Sequence, residues 1–485
     1  MSTRREFIKQ SLFLSASLPF VSLSTFFGGR TEAVTVLVAE GGKGIQGVVV
    51  SDGFISVVTD VAGKCTLTPH RSAEFIQVSV PSGYVIPVTE HGTAEYATEI
   101  RRGVDGKVEV VFQLTPSGDD TRHQFLVLAD PQTKDDYDMG RFHNETVPDI
   151  QQTIARYGGN TFGVSCGDIL YDDLTYFPQY EAAVKKLGVP FFQVLGNHDC
   201  DVKALSDKPS SATFKKHFGP SYYSFNRGMV HYIVIDNVLW INKGYIGYVT
   251  DEQLDWIKGD MEYVSKDKRI VVFMHIPAFS FMYQRLGKSK PENSLVQTNR
   301  EAMYQLFAGY KTTFICGHIH ECEFLEESGI DIHCQGAVCG AWWEGPICYD
   351  GTPNGYAVYE VNGTELQWRY KGTGLSEDEV FRVYLPGESS EHPESVVVNC
   401  WQADQEWKVT MIEGAKRTQM QQFTGIDPLS IQHYGGPEVP KRHKWIDPLP
   451  TNHLFHATPL ADSTSVIIEV HDRWGKTYQK SVSLK

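Results

Sequence analysis

Through the middle of the chain, short wholly apolar runs alternate with stretches in which apolar positions recur every three or four residues. The runs at 126–129, 162–166, 189–195, 270–274 and 313–316 end at Gly or polar residues and read as buried strands. Between them, Asn144 is expected to cap a helix through Ile150, Ile154 and Tyr157 that Gly158-Gly159 stops. Residues 181–187 predict a further helix ending at Gly188. Thr250-Asp251-Glu252-Gln253 and Thr298-Asn299-Arg300-Glu301 both have capping-box spacing. Alternation of this kind marks an α/β layer fold, and most of the strand ends are roughly 30 to 45 residues apart, a length that suits strand-helix-strand units.

On either side the texture changes. From Ala33 to Leu114, short β-branched runs are punctuated by Asp52-Gly53 and Gly63; from Leu375 onward, runs at 380–385, 395–400, 407–412 and 466–470 are separated by turn residues. The expected division is a leader at 1–33, a β-sandwich at 34–116, an α/β domain at 120–372 and a second β-sandwich at 375–485. Pro116-Ser117-Gly118-Asp119-Asp120 reads as the linker between the first two folded units.

Charge and composition narrow the partners. A formal charge of −15 with no basic stripe argues against nucleic acid. Arg4-Arg5-Glu6-Phe7-Ile8-Lys9 precedes an apolar, Ser-rich stretch at 11–27, the pattern of an export signal of the twin-arginine type. That predicts a periplasmic or extracellular protein. Ser15, Ser17, Pro19, Ser22 and Ser24 interrupt the stretch, which argues against stable membrane insertion. The nine cysteines are odd in number and scattered, unlike a disulfide framework or a zinc knuckle. Cys334 with Cys339, or Cys339 with Cys348, could pair after export.

Chemistry enters where the apolar runs end, the place at which open α/β sheets bind ligands. There the chain carries Asp130-Pro131-Gln132, Gly167-Asp168, Gly196-Asn197-His198-Asp199, His275 and Gly317-His318-Ile319-His320. Asp, Asn and His are oxygen and nitrogen ligands suited to Mn, Fe, Zn or Mg. His217, His231, His333 and His471 stand outside these blocks and are read as structural.

This ordered set resembles the calcineurin-like metallophosphoesterases over about residues 122–372. The resemblance implies an α/β fold, a two-sheet α/β sandwich with the metals at one edge, here flanked by two all-β sandwich domains. It implies two divalent metal ions: Asp130 and His320 on the first, Asp168 bridging, and Asn197, His275 and His318 on the second. A metal-bound hydroxide would attack phosphorus, His198 would assist the leaving group and Asp199 would orient the His198 ring. Gln132 stands where most of the family has His, a weaker ligand, so the first metal is expected to bind loosely. Gly167-Asp168-Ile169-Leu170-Tyr171 has the spacing at which purple acid phosphatases place an iron-binding Tyr; Tyr171 is either such a ligand or a packing aromatic. Asp172 could steady the ligands or lie on a solvated loop. The 34–116 stretch resembles transthyretin-like modules. Gly340-Ala341-Trp342-Trp343-Glu344-Gly345, with Asp350-Gly351-Thr352-Pro353-Asn354-Gly355-Tyr356, resembles a signature of a bacterial branch of the family that carries these flanking domains. Trp342 or Trp343 would then stack on a sugar or base, or pack against the C-terminal sandwich, and His143 could touch substrate. The expected activity is hydrolysis of phosphomonoesters or phosphodiesters of a small molecule, lipid head group or glycan. The alternative is a catalytically weak relative that binds cell-surface glycan or protein. Oligomeric state is left open.

Overall fold

The computed structural model describes residues 33–100 and 108–484; the expected export signal lies outside the described residues. Two mixed sheets form the centre. The first is built from β1 (Arg122–Leu128), β2 (Thr161–Cys166), β3 (Phe191–Val194), and two later strands. The second takes β4 (Tyr223–Arg227), β5 (Val230–Val234), β6 (Arg269–Phe273), β7 (Lys311–Cys316), β8 (Glu323–Glu327) and β9 (Ile330–Cys334). The chain then returns to the first sheet with β10 (Gly355–Asn362) and β11 (Glu365–Gly372). The orders are β3-β2-β1-β10-β11 and β4-β5-β6-β7-β9-β8. Strands β1, β2 and β3 run parallel, as do β5, β6, β7 and β9, so the loops bearing the candidate ligands leave from like ends.

These strands are apolar throughout because both faces are covered. Phe125, Val127, Phe162 and Val164 point between the sheets to meet Tyr232, Val271, Phe273 and Ile315. The alternate residues Leu126 and Leu128 pack outward beneath Phe142, Ile150 and Tyr180, which belong to helical segments. On the far face, Ile233, Ile270, Val272 and Phe314 bury Trp256 of the helix Asp251–Met261 and Met303 of the helix Arg300–Leu306.

Five of the helices pack on these sheets or lead to the ligand loops: α1 (Asp136–Arg141), α2 (Val147–Tyr157), α3 (Phe177–Leu187), α4 (Asp251–Met261) and α5 (Arg300–Leu306). Asn144 does not start a helix. Asp135 does, its side chain accepting the N–H groups of Tyr137 and Asp138, and a wider turn at Phe142–Thr146 carries the chain on into α2. Thr250 caps α4 as its spacing predicts, through Gln253 N. Thr298 does not cap α5: its hydroxyl donates to Gly247 O, and Asn299 occupies the cap position with its side chain bonded to the Val249 backbone instead of the helix.

N-terminal to the core lie two four-stranded sheets, one around Val34–Glu40 and one around Val49–Ser51. The expected linker is not a loose one. Asp120 is buried and accepts N–H bonds from Gly83 and Gly228, both at 2.8 Å, which staple the N-terminal unit to the core. Two further four-stranded sheets follow β11, sharing a core of Val396, Val398, Val409, Met411, Ile468 and Val470. All nine cysteines are free. Cys334 donates to Gly317 O and Cys348 to Ala337 O, directions that leave Cys339 unpaired with either.

Candidate metal centre

The loops after β1, β2, β3, β6 and β7 meet at one edge of the sandwich. Their backbone is unusual. Among the described residues, eleven non-glycines have positive φ, and eight of them are Asp130, Gln132, Asp168, Asp172, His318, His320, Trp342 and Trp343. A side chain in the left-handed region costs about 1–2 kcal/mol, so the strain is gathered where ligands must point inward. Close approach is also required: a Cβ on Gly196 would lie 1.9 Å from Asp168 N, and one on Gly317 would lie 2.4 Å from Asp130 Oδ2.

The ligand atoms converge. Those of Asp168, His275 and His318 all lie within 4.8 Å of one another. His275 Nε2 is 3.1 Å from Asn197 Oδ1, 3.2 Å from Asp168 Oδ1 and 3.1 Å from His318 Nδ1. Beside them Asp130 accepts the His318 N–H and faces His320 Nε2 at 3.6 Å. Each histidine has its other ring nitrogen tied to a backbone carbonyl: His275 Nδ1 to Cys166 O at 2.9 Å, His318 Nε2 to Ser294 O at 2.9 Å and His320 Nδ1 to Gly340 O at 2.7 Å. Carbonyls only accept, so these nitrogens carry a proton, and in a neutral ring the inward nitrogen presents a lone pair.

Burial lowers His318 to about 3 and His320 to about 4, which keeps both neutral. Burial, with the charge of Asp168, pushes Asp130 up to about 8. Burial would lower His275, but the adjacent Asp168 carboxylate overrides it and lifts the ring to about 9. The same pairing holds Asp168 well below the carboxylate range against its burial. Two fully buried carboxyl groups, whose opposing charges come from histidines alone, two neutral imidazoles with lone pairs turned inward, and a His275 ring that presents Nε2 once it yields that proton are a donor set that fits divalent cations.

Several expected roles change. Asp199 does not orient His198. Its carboxylate is fully buried and accepts the N–H groups of Gly196, Ile169 and Leu170 at 3.0, 3.1 and 2.9 Å, which locks the β3 loop onto the β2 loop. The group at His198 Nδ1 is Asp172, at 2.8 Å. Burial is overcome by Asp168 and Asp172, and the His198 pKa is raised. Gln132 turns its amide nitrogen to Asp168 Oδ2 at 3.1 Å and its oxygen toward Cys339 Sγ at 3.8 Å. In that orientation it is a donor to the Asp168 carboxylate, and only a half-turn of the amide would turn its oxygen inward. Tyr171 lays its ring on His198, stacked at 4.4 Å.

His143 is engaged by α3, donating from Nε2 to Gln179 O and accepting from Lys186 Nζ. The paired tryptophans sit in a left-handed turn rather than a strand and part company there. Trp343 is buried and donates to Pro131 O, so it braces the first ligand loop instead of meeting substrate. Trp342 stacks on His320 at 4.3 Å. His217, His231, His333 and His471 pair with Glu181, Asp260, Tyr359 and Glu469, as structural histidines do. The carbonyls of Cys166, Ser294 and Gly340 have no sequence signal, since any residue supplies one.

Residues 123–322 match the family described as calcineurin-like phosphoesterase, residues 32–117 the N terminal of calcineurin-like phosphoesterase and residues 332–478 its C terminal. Comparison with curated proteins returned no match. Among solved structures, GAP50, the anchor in the inner membrane complex of Plasmodium, is 16% identical over 52% of this chain and 84% of its own, with a TM-score of 0.34. Purple acid phosphatase PPD1 of yellow lupin (Lupinus luteus) seeds is 14% identical over 67% and 66%, with a TM-score of 0.38. A 5′-nucleotidase precursor of Thermus thermophilus is 12% identical over 52% and 54%, with a TM-score of 0.30. The family uses divalent metal ions. With its central domain and both companions matched in order, the chain belongs to the calcineurin-like phosphoesterases and is a metallophosphoesterase.

Proposed function

We propose that the protein hydrolyses phosphomonoesters or phosphodiesters at a dinuclear metal site. The observation that carries this is the set of three histidines whose outward nitrogens donate to carbonyls while their inward nitrogens face two buried carboxylates. Asp130 and His320 would hold one divalent ion and Asn197, His275 and His318 the other, with Asp168 shared between them. When bound, the ions supply Lewis acidity toward phosphoryl oxygens and a nucleophile near neutral pH. His198 stands ready to protonate the departing alcohol: Asp172 occupies Nδ1, which leaves Nε2 for the proton transfer, and Tyr171 covers one face of the ring. Asp199 holds the loop that presents it. Gln132 steadies Asp168 by donation.

The substrates that suit such a site are phosphorylated small molecules, lipid head groups or glycans. Export by the twin-arginine route rests on Arg4-Arg5 and the apolar stretch after it; no helix among the described residues is long and apolar enough to cross a membrane. The division into a β unit at 34–116, a catalytic domain at 120–372 and a β unit at 375–485 belongs to the same proposal.

The test is hydrolysis of paired aryl phosphate monoesters and diesters after chelation and reloading with Mn, Fe, Zn or Mg. Metal-dependent turnover that Asp168→Asn abolishes is expected. A second reading, a binding protein with a weak centre, is favoured by Gln132 in place of His. It would prevail if a folded sample turned over no ester with any metal and Asp168→Asn left ligand capture intact.

A further inference from the structure

Between the helix Pro428–Tyr434 and the strand Pro450–Ala457, residues 435–449 leave the C-terminal unit and cross to the metal edge. They are pinned there by polar contacts. The Glu344 carboxylate, next to Trp343, accepts the backbone N–H groups of Arg442 and His443 at 2.6 and 3.1 Å. The Arg442 guanidinium pairs with Asp138 at 2.6 Å and Asp135 at 3.0 Å, at the start of the helix that follows the first ligand loop. Lys441 closes the strap on itself by donating to Ile446 O and Asp447.

What the strap delivers is a run of rings. His443, 5% exposed, faces Tyr171 at 6.5 Å and Trp445 at 4.6 Å. Tyr171 stacks on His198. Trp445 meets Trp342 at 6.3 Å, and Trp342 stacks on His320. An aromatic arc therefore runs from His198, by way of the C-terminal strap, to His320. Every ring of it is buried or half-buried except Trp445, which is 52% exposed. Of the acids nearby, Asp135 and Asp138 are answered by Arg442, Glu344 by two backbone N–H groups and Asp172 by His198, and Lys134 lies 5.4 Å from the Tyr171 ring, so the wall can take a phosphate.

We infer that the 435–449 strap forms one wall of the substrate cleft and that Trp445 determines specificity by stacking on a flat ring in the alcohol part of the phosphoester. This rests on the phosphoesterase reading and extends it to a substrate class. The ring is a nucleobase or another aryl group; both offer the same π face. A half-exposed indole one ring removed from His320 gains from covering its open face, and stacking of this kind is worth about tenfold in affinity.

The test uses the metal-loaded full chain with 1-naphthylmethyl phosphate, a nucleoside 5′-monophosphate and glycerol 2-phosphate, which share an alkoxide leaving group. Trp445→Ala lowers the ratio of kcat/KM on the ring esters to that on glycerol 2-phosphate about tenfold; Trp445→Phe restores most of it. Arg442→Ala, which frees the strap without touching a ring of the arc, lowers the same ratio. A larger loss on the nucleotide assigns the ring to a nucleobase, and equal losses assign it to aryl groups in general; both support the inference. An unchanged ratio in Trp445→Ala overturns it. Calorimetry with 1-naphthylmethylphosphonate and methylphosphonate reads the same wall without turnover. Wild type that hydrolyses nothing but binds the naphthyl compound about tenfold more tightly than Trp445→Ala refutes the hydrolytic reading and keeps this one. Equal binding refutes the stacking role.

Discussion

Asp199 and Asp172 both stand near His198, and the structure gives them opposite duties that mutation can separate. Asp199→Ala removes an acceptor shared by three buried N–H groups, those of Gly196, Ile169 and Leu170. A buried donor left unmade costs about 1–3 kcal/mol, so the gross loss is roughly 3–9 kcal/mol for the three. Burial and the Asp168 charge, which push the Asp199 carboxyl up to about 7, oppose this, because the variant no longer hides a reluctant anion. The net cost is about 2–4 kcal/mol, or a fall in Tm of about 5–10 °C at the scale of a domain of this size. Asp172 has its side chain 45% exposed and one ring contact. Its removal changes stability by less than about 0.5 kcal/mol. A positioned general acid contributes roughly 100- to 10,000-fold, and the partner that holds its ring carries part of that, so Asp172→Ala lowers kcat about 10- to 100-fold. Thermal melts of chelated protein and kcat of metal-loaded protein read the two effects independently. If Asp199→Ala melts with the wild type while losing activity as Asp172→Ala does, the assignment is reversed and the reasoning fails.

Acid sensitivity is expected from His123, which is fully buried between Asp120 O and the Tyr232 hydroxyl and is lowered by that burial to about 4. Its folded pKa lies below its unfolded one, so the unfolded chain binds the proton first; stability is full above about pH 6.5 and drains away as the pH falls toward 4. His123→Gln should remove about 2 kcal/mol of the difference in urea stability between pH 7.5 and pH 5; an unaltered difference would falsify the role. Gln132→His, which places an imidazole where the amide now faces Asp168, should raise the metal retained after dialysis against a chelator. Elemental analysis checks this, and full retention by the wild type would show that its first site is not weak. Replacing Arg4 and Arg5 together with Lys should leave the precursor in the cytoplasm, as read by cell fractionation; normal export would exclude the twin-arginine route.

Much of the fold was legible in the chain because burial on both faces writes itself as a continuous apolar run. The strands β1, β2, β3, β6 and β7 fall where those runs lie. The polar residue at each run's end was legible too, since a polar side chain without a partner cannot continue a run buried on both faces. Helix starts were less so: Asn144 does not cap α2, because the chain arrives there already helical from α1, which Asp135 caps, and Asn299 displaced Thr298, whose hydroxyl a tertiary partner, Gly247 O, takes.

What sequence alone determined, then, was which residues arrive at the metal edge, as local hydrophobic pattern sets where strands end. What only the tertiary structure decided was which of them touch. Asp199 is next to His198 in the chain, yet its carboxylate turns to the β2 loop, while Asp172 comes from that loop to meet the imidazole. The proton positions of His275, His318 and His320 depend on carbonyls at residues 166, 294 and 340, and the aromatic wall depends on a strap from the C-terminal unit. Contacts of this kind join residues 20 to more than 300 apart, as in Gly340 with His320 and Arg442 with Asp138. Side-chain direction across loops is set by packing between elements, and no local periodicity records it.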